Sequence, residues 1–245
     1  MGELLALLSG KGGTGKTSLC AGLGTALSGM GKSVLCIDCD IGLRNLDIAL
    51  GLVHTDALSF LDVCRGEYTL DQALAHSDYP GLFFLTAPIN CTADDIDRAA
   101  FSAMLRAARE RFDYVLLDAP AGVELGFQLC ADYADRVILV ACPEPAAIRD
   151  AARAGEVLEL MGKTDVRLIV NRIRRKFFRI TDVTVDDVMD EAGIPLLGIV
   201  PEDSNVTYAA ALRQPLLRYT RRGAAAACKR IAKRIQGQPV PISIR

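Results

Sequence analysis

Near the start of the chain, Gly10-Lys11-Gly12-Gly13-Thr14-Gly15-Lys16-Thr17 fits the pattern G-x-x-x-x-G-K-[S/T] in full. Residues of these types at this spacing bind phosphate. The glycines allow backbone N–H groups to turn inward around a polyphosphate, and the N-terminus of a following helix adds its positive dipole end. Lys16 is placed to reach the β- and γ-phosphates, and the Thr17 hydroxyl to ligate Mg²⁺. The motif follows an apolar run, Leu4 to Leu8, and precedes an Ala/Leu/Gly-rich segment that includes Ser18. That is the strand–loop–helix context such a loop requires, which argues against a glycine-rich turn that binds nothing. A second lysine, Lys11, directly after the first glycine, is unusual. It can neutralise charge developing on the phosphates, or project away from its own nucleotide to serve a neighbouring subunit.

Phosphoryl transfer also needs a metal and a positioned water, and three carboxylates are candidates. Asp118 ends the apolar run Tyr114-Val115-Leu116-Leu117, where an acid can hold Mg²⁺ directly or through its water, the alternative being a turn cap. The Ala119-Pro120-Ala121-Gly122 segment behind it is a candidate switch whose glycine amide can report on the γ-phosphate. Asp38 and Asp40 close another apolar run. Asp40 is the candidate to orient and deprotonate the attacking water, with Asp38 nearer the metal or the loop as its support. Two carboxylates this close repel, so they fit best beside a cation rather than in a solvated turn. The expected metal-binding set is therefore Thr17, Asp38, Asp40 and Asp118, and the catalytic set Lys11, Lys16 and Asp40.

These residues need a scaffold, and the hydrophobic pattern supplies one. Strands are expected at Leu4–Leu8, Ser33–Asp38, Leu82–Thr86, Tyr114–Asp118, Arg136–Ala141, Val166–Val170 and Leu196–Val200. Helices are expected at Lys16–Ser28, Leu58–Cys64, Leu70–Ala75, Asp94–Arg111, Glu124–Tyr133, Pro145–Met161, Val185–Ala192 and Ala224–Ile235. Apolar strands alternating with helices imply an α/β fold, a mostly parallel sheet with helices on both faces. A single domain over residues 1–236 with a short tail, 237–245, is expected.

Composition narrows the setting. The chain has 245 residues, 51% of them hydrophobic, and a net charge of −2, so binding to DNA or anionic lipid requires a local basic patch. One candidate is Arg172, Arg174, Arg175, Lys176 and Arg179 around Phe177 and Phe178, the alternative being a solvated face. Another is the stripe Ala224, Ala227, Cys228, Ile231 and Ile235, flanked by Lys229, Arg230, Lys233 and Arg234. Without Phe, Trp or Leu to insert, it reads better as a helix packed on its own core. The eight cysteines lie among hydrophobic neighbours, as reduced thiols do, and Cys36 and Cys39, three apart on a strand, face opposite ways. With neither a signal-peptide pattern nor a membrane-spanning run, a cytoplasmic location is expected.

The loop K-G-G-T-G-K-T resembles the deviant Walker A motif of the ParA/MinD family of P-loop ATPases, whose signature lysine matches Lys11. Asp38-Cys39-Asp40-Ile41-Gly42-Leu43-Arg44-Asn45-Leu46-Asp47 is similar to switch I of its MinD branch, and Asp118 to Glu124 to switch II. Pro143-Glu144 with Ile148-Arg149-Asp150 resembles the opening of the next helix, and Pro201-Glu202-Asp203 the adenine-side loop. The similarity spans almost the whole chain and implies a P-loop NTPase-like domain, an Mg²⁺-dependent ATPase.

Position by position, the resemblance implies ATP and Mg²⁺ at Lys11, Gly12, Gly13, Thr14, Gly15, Lys16, Thr17 and Ser18, and adenine near Asn171, Pro201 and Glu202. It implies an ATP-dependent homodimer in which Lys11 reaches the partner's phosphates. A regulator of the MinC or MinE type is implied near Glu144, Arg149 and Asp150. The expected function is a switch that hydrolyses ATP to ADP and phosphate in division-site placement, with peripheral attachment at the inner face of the cell membrane. Members of the MinD branch usually end in an amphipathic membrane helix, which Pro239 and Pro241 forbid in this tail. The alternative is a ParA-like partition or flagellar-placement ATPase that binds DNA or another partner through the 172–179 cluster.

Overall fold

In a computed structural model that describes residues 1–52, 57–77, 79–89, 91–181 and 183–243, the apolar runs are strands and most of the periodic segments between them are helices. The first half contains β1 (Glu3–Leu8), α1 (Lys16–Ser28), β2 (Val34–Asp38), α2 (Leu46–Leu50), α3 (Phe60–Cys64), α4 (Leu70–Ala73), β3 (Ala75–His76), β4 (Leu82–Leu85), α5 (Arg98–Arg111) and β5 (Tyr114–Asp118). The second half contains α6 (Leu125–Tyr133), β6 (Arg136–Ala141), α7 (Pro145–Leu160), β7 (Val166–Ile173), α8 (Arg175–Thr181), α9 (Val185–Ala192), β8 (Leu196–Pro201), α10 (Asn205–Ala211), α11 (Leu216–Tyr219) and α12 (Gly223–Ile235).

The strands form one sheet in the order β3-β4-β2-β5-β1-β6-β7-β8. Seven run parallel, and the two-residue β3 pairs antiparallel with β4 at one edge. Strand β1 lies between β5 and β6, where the winding reverses, so a crevice opens at the carboxyl ends of the central strands. Register brings the candidate acids there: Leu7 lies opposite Asp118, and Asp118 opposite Asp38. The expected mostly parallel sheet with helices on both faces is the one observed.

Side-chain alternation divides the core between the two faces of the sheet. Leu4, Ala6 and Leu8 of β1 join Phe101 and Met104 of α5, Phe127 of α6, Leu158 of α7 and Val188 of α9. Leu5 and Leu7 join Leu19, Leu23 and Leu27 of α1 and Ile231 of α12 on the other side. Fully burying each such Leu or Phe contributes roughly 1.5–3 kcal/mol, and this holds the loop-bearing strand ends in place. The stripe of α12 is spent on that core: Ala224, Ala227, Cys228, Ile231 and Ile235 are buried. Its basic flank holds the tail, with Arg234 donating to the carbonyls of Val240 (2.8 Å), Pro241 (2.7 Å) and Leu197 (3.0 Å), and Arg230 to that of Ser243 (3.0 Å). The last two tail residues, Ile244 and Arg245, lie outside the described residues.

Several boundaries differ from expectation for local reasons. The helix expected from Asp94 starts at Arg98, because Asp97 caps it by accepting from the amides of Ala99 (2.8 Å) and Ala100 (3.3 Å). A 3-10 turn, Ala93–Asp95, closed by Thr92 and Asp95, precedes it, and Ile96 between them is extended. Side-chain oxygens that satisfy backbone amides locally compete with helix continuation. The helix expected over Leu70–Ala75 stops at Ala73, because Leu74 turns extended and Ala75 pairs with Phe84. The C-terminal part of the 172–179 basic cluster lies on α8, and the short helices α2, α10 and α11 lacked enough length to show a period.

Candidate nucleotide site

The phosphate loop runs from Leu8 to the start of α1, and backbone packing shapes it. Gly15 has φ +89°, and a Cβ there would lie 2.4 Å from the Asn171 amide nitrogen. A Cβ at Gly10 would lie 2.1 Å from the carbonyl oxygen of Asp150 on α7. Only glycine fits either position. The carbonyl of Thr14 accepts from Asn171 Nδ2 at 2.7 Å and from the Cys142 thiol at 3.7 Å, while the Ser9 hydroxyl donates to the carbonyl of Lys11 at 3.0 Å. Helix α1 has no side-chain cap and no acid in its first turn, so its N-terminal amides and dipole remain available to an anion.

The two lysines of the loop are placed differently. Lys16 is buried, and its Nζ donates to Asp118 Oδ1 at 2.9 Å. Burial alone pushes the Lys16 pKa down, but the Asp118 carboxylate more than offsets it, so the ammonium is held above its ordinary value. Burial pushes the Asp118 carboxyl up, opposed by Lys16 and the nearby Thr17 hydroxyl. Lys11 is exposed and lines the phosphate chamber.

The two acids Asp38 and Asp40 are placed differently. Asp38 is fully buried, and its oxygens accept from the amides of Asp40 (2.9 Å), Asn45 (3.1 Å) and Leu46 (3.1 Å). Burial, with Asp118 adding, pushes its pKa up to about 7. Asp38, expected among the metal ligands, ties together the turn that carries Asp40, its Oδ1 accepting one N–H and its Oδ2 two. Asp40 lines the phosphate chamber, and its pKa is raised by burial, against the pull of Lys16. In switch II the Gly122 amide donates to the Ser9 carbonyl at 3.0 Å, which fastens this segment to the loop in the present conformation.

A divalent cation fits this donor set. Asp118 Oδ2 and Thr14 Oγ1 are buried without a hydrogen-bond partner among the described residues. An orphaned carboxylate oxygen beside the Thr17 hydroxyl, with Asp40 across the chamber, is an all-oxygen set of the kind Mg²⁺ prefers.

Two connected chambers hold the expected contacts. A cavity of about 380 Å³ is lined by the loop, Asp40 and Ala121. A cavity of about 530 Å³ is lined by Asn171, Pro201 and Glu202, the three expected adenine positions, together with Val206, Leu216 and Cys228. Apolar walls with a few polar groups suit a heterocyclic base. Glu202 is fixed by a two-pronged ion pair with Arg174, one arm of which is 2.6 Å, and this partner holds its carboxyl below the usual range.

Sequence reasoning gave Asp203 no role of its own. Its Oδ1 accepts from the Asn205 amide (3.0 Å) and from Asn205 Nδ2 (2.7 Å), and its Oδ2 from the Ala224 amide (2.9 Å). Asp203 thereby caps α12 from another element and closes the base chamber; the only sequence signal was its place after Pro201-Glu202.

Other expected features resolve simply. Glu144 and Arg149 are exposed at the start of α7, and Asp150 is half-buried against Gly10. Arg172, Lys176 and Arg179 are exposed, whereas Arg174 is committed to Glu202. All eight cysteines are free, with Cys36 and Cys39 on opposite faces of the sheet. Among the described residues there is no group of three or more metal-ligating side chains of the His/Cys/Asp/Glu type, and no helix is long and apolar enough to cross a membrane.

Comparison with known proteins agrees with this geometry. The family model described as the CobQ/CobB/MinD/ParA nucleotide binding domain matches residues 5–216. The septum site-determining protein MinD of Bacillus subtilis (strain 168) is 38% identical over 249 aligned positions, covering 100% of this chain and 92% of its own. A chain of the MinC:MinD cell division protein complex of Aquifex aeolicus superposes with a TM-score of 0.91 at 36% identity, over 98% of each chain. The septum site-determining protein MinD complexed with Mg-ADP from Pyrococcus horikoshii OT3 superposes with a TM-score of 0.83 at 27% identity, over 96% of each chain.

Proposed function

Because the chain belongs to the CobQ/CobB/MinD/ParA family of nucleotide-binding proteins, we propose that it works as a MinD-like switch in division-site placement, dimerising with ATP and resetting on hydrolysis. It is an ATPase that uses Mg²⁺ and releases ADP and phosphate. The observation that carries the switch reading is the contrast between the loop's two lysines. Lys16 is buried and paired within its own subunit, whereas Lys11 is exposed at the same phosphate chamber, free to answer a second copy.

In this reading the base lies in the larger chamber against Pro201 and Asn171, and the triphosphate enters the loop. Lys16 exchanges its bond with Asp118 for the β- and γ-phosphate oxygens, which leaves the Asp118 carboxylate, with Thr17 and Asp40, to hold Mg²⁺. The cation supplies charge neutralisation on the phosphates when bound. Asp40, facing the phosphate chamber, orients the attacking water and accepts its proton, while Asp38 keeps Asp40 in place through its backbone amide. Lys11 of one subunit reaches the phosphates of the other, so that the γ-phosphate favours the dimer over the monomer. Glu144, Arg149 and Asp150 on α7 form the surface for a MinC- or MinE-type regulator, a reading supported by likeness to the Aquifex aeolicus chain that assembles with MinC. Peripheral attachment at the inner face of the cell membrane belongs to the same cycle, and co-sedimentation with anionic liposomes in ATP but not ADP tests it.

Hydrolysis that needs a dimer rises in specific activity with protein concentration. The wild-type protein is expected to show that rise in an ATPase assay, and Lys11→Ala to abolish it. A concentration-independent rate that survives Lys11→Ala would sink the reading.

A further inference from the structure

Arg172 has φ +54°, in the left-handed region that is costly for a residue bearing a side chain. Among the described residues two other non-glycine residues share that conformation, but Arg213 follows α10, where such a backbone ordinarily ends a helix, and Arg44 lies in the turn organised by Asp38. Arg172 belongs to a strand. It sits where β7 slips register against β8, between Val170 and Ile173, and a bulge of this kind re-aims a side chain. The flanks are clamped: Asn171 is bonded to the Thr14 carbonyl at 2.7 Å, and the Ile173 carbonyl accepts from the Glu202 amide at 3.0 Å. The strain is therefore maintained by contacts that reach into the nucleotide site.

The aim of the side chain is informative. Arg172, Gly15 and Ser18 line both the base chamber and the phosphate chamber, so they mark the neck between them. Arg174 is neutralised by Glu202, but Arg172 forms no ion pair among the described residues. A nucleotide that fills both chambers must pass its ribose and α-phosphate through that neck.

We propose that Arg172 is a substrate-binding residue whose guanidinium meets the α-phosphate of a nucleoside di- or triphosphate at the neck. The inference rests on the nucleotide reading given above. A guanidinium forms strong charge-assisted bonds to phosphate oxygens. Because ADP and ATP share the α-phosphate, the interaction is equal in ground and transition states, and its loss raises KM while leaving kcat unchanged.

Calorimetric titration with Mg-ADP, AMP and adenosine separates the roles. Arg172→Ala is expected to weaken Mg-ADP and AMP about tenfold, equivalent to about 1.4 kcal/mol, with adenosine unaffected. Arg172→Lys should recover part of the loss. Arg172→Gly should lose as much affinity as Arg172→Ala yet melt at a higher temperature, because the left-handed backbone no longer carries a Cβ. Wild-type affinity for Mg-ADP in Arg172→Ala overturns the proposal, as does an equal loss for adenosine. A wild-type protein that binds no Mg-ADP overturns the nucleotide reading as well, which distinguishes the two failures.

Discussion

In the phosphate chamber Lys16 and Asp118 form their ion pair with 6% and 1% of their side chains exposed, whereas in the base chamber Arg174 and Glu202 form theirs with 59% and 41% exposed. The first pair is set by strand register, since β5 carries Asp118 alongside β1 and the loop that follows it. The second joins the end of β7 to the end of β8 through residues that face water. Groups proposed to handle charge on the phosphates are thus fixed by the sheet, and groups proposed to enclose the base are held by loops and caps. Buried charges depend on each other more than exposed ones do, because water can replace a missing partner at the surface but not in the interior.

That contrast yields graded outcomes. Asp118→Ala leaves the Lys16 ammonium buried without its partner, and urea denaturation is expected to show a loss of about 3–5 kcal/mol together with loss of hydrolysis. Glu202→Ala, which leaves Arg174 in water, should not move the urea midpoint measurably. Equal losses in the two variants would erase the distinction between the chambers.

Asp40→Ala comes next, because it removes the group assigned to the water and leaves the loop intact. Single-turnover hydrolysis should fall roughly 10²–10⁴-fold while Mg-ATP still binds. Loss of binding in parallel with hydrolysis would move Asp40 from water activation to ground-state binding.

A smaller effect than at Asp118 or Asp40 is expected at Asp203. Asp203→Ala removes the cap on α12 and the anchor on Asn205, at a cost of about 1 kcal/mol in stability. Steady-state kinetics should show a raised KM for ATP with kcat unchanged. A fall in kcat alone would show that the base-side loop governs chemistry as well as binding.

Legibility in the sequence followed the same division. The phosphate loop is read from eight consecutive residues because its geometry is local, and Asp118 is read because a strand-ending acid leaves a one-dimensional signature. Asp38 was harder. Its partners include Asn45 and Leu46, brought back by a turn in which Gly42 and Arg44 adopt left-handed backbone, and no spacing rule announces three amides converging on one carboxylate. Asp203 and Arg172 were hidden for a related reason, since one caps a helix beginning twenty residues later and the other depends on a bulge between two strands. The sheet was legible because each of its long parallel strands is an apolar run, whereas α2, α10 and α11 are too short for periodicity to separate them from loop.

In the proposed switch Lys11 answers a second copy of the chain. Light scattering on the Asp40→Ala protein, which is slowed in hydrolysis, reads that directly. With Mg-ATP the mass should double relative to Mg-ADP, and adding Lys11→Ala should return it to the monomer. A mass that stays monomeric in Mg-ATP, or a dimer that persists without Lys11, would contradict it.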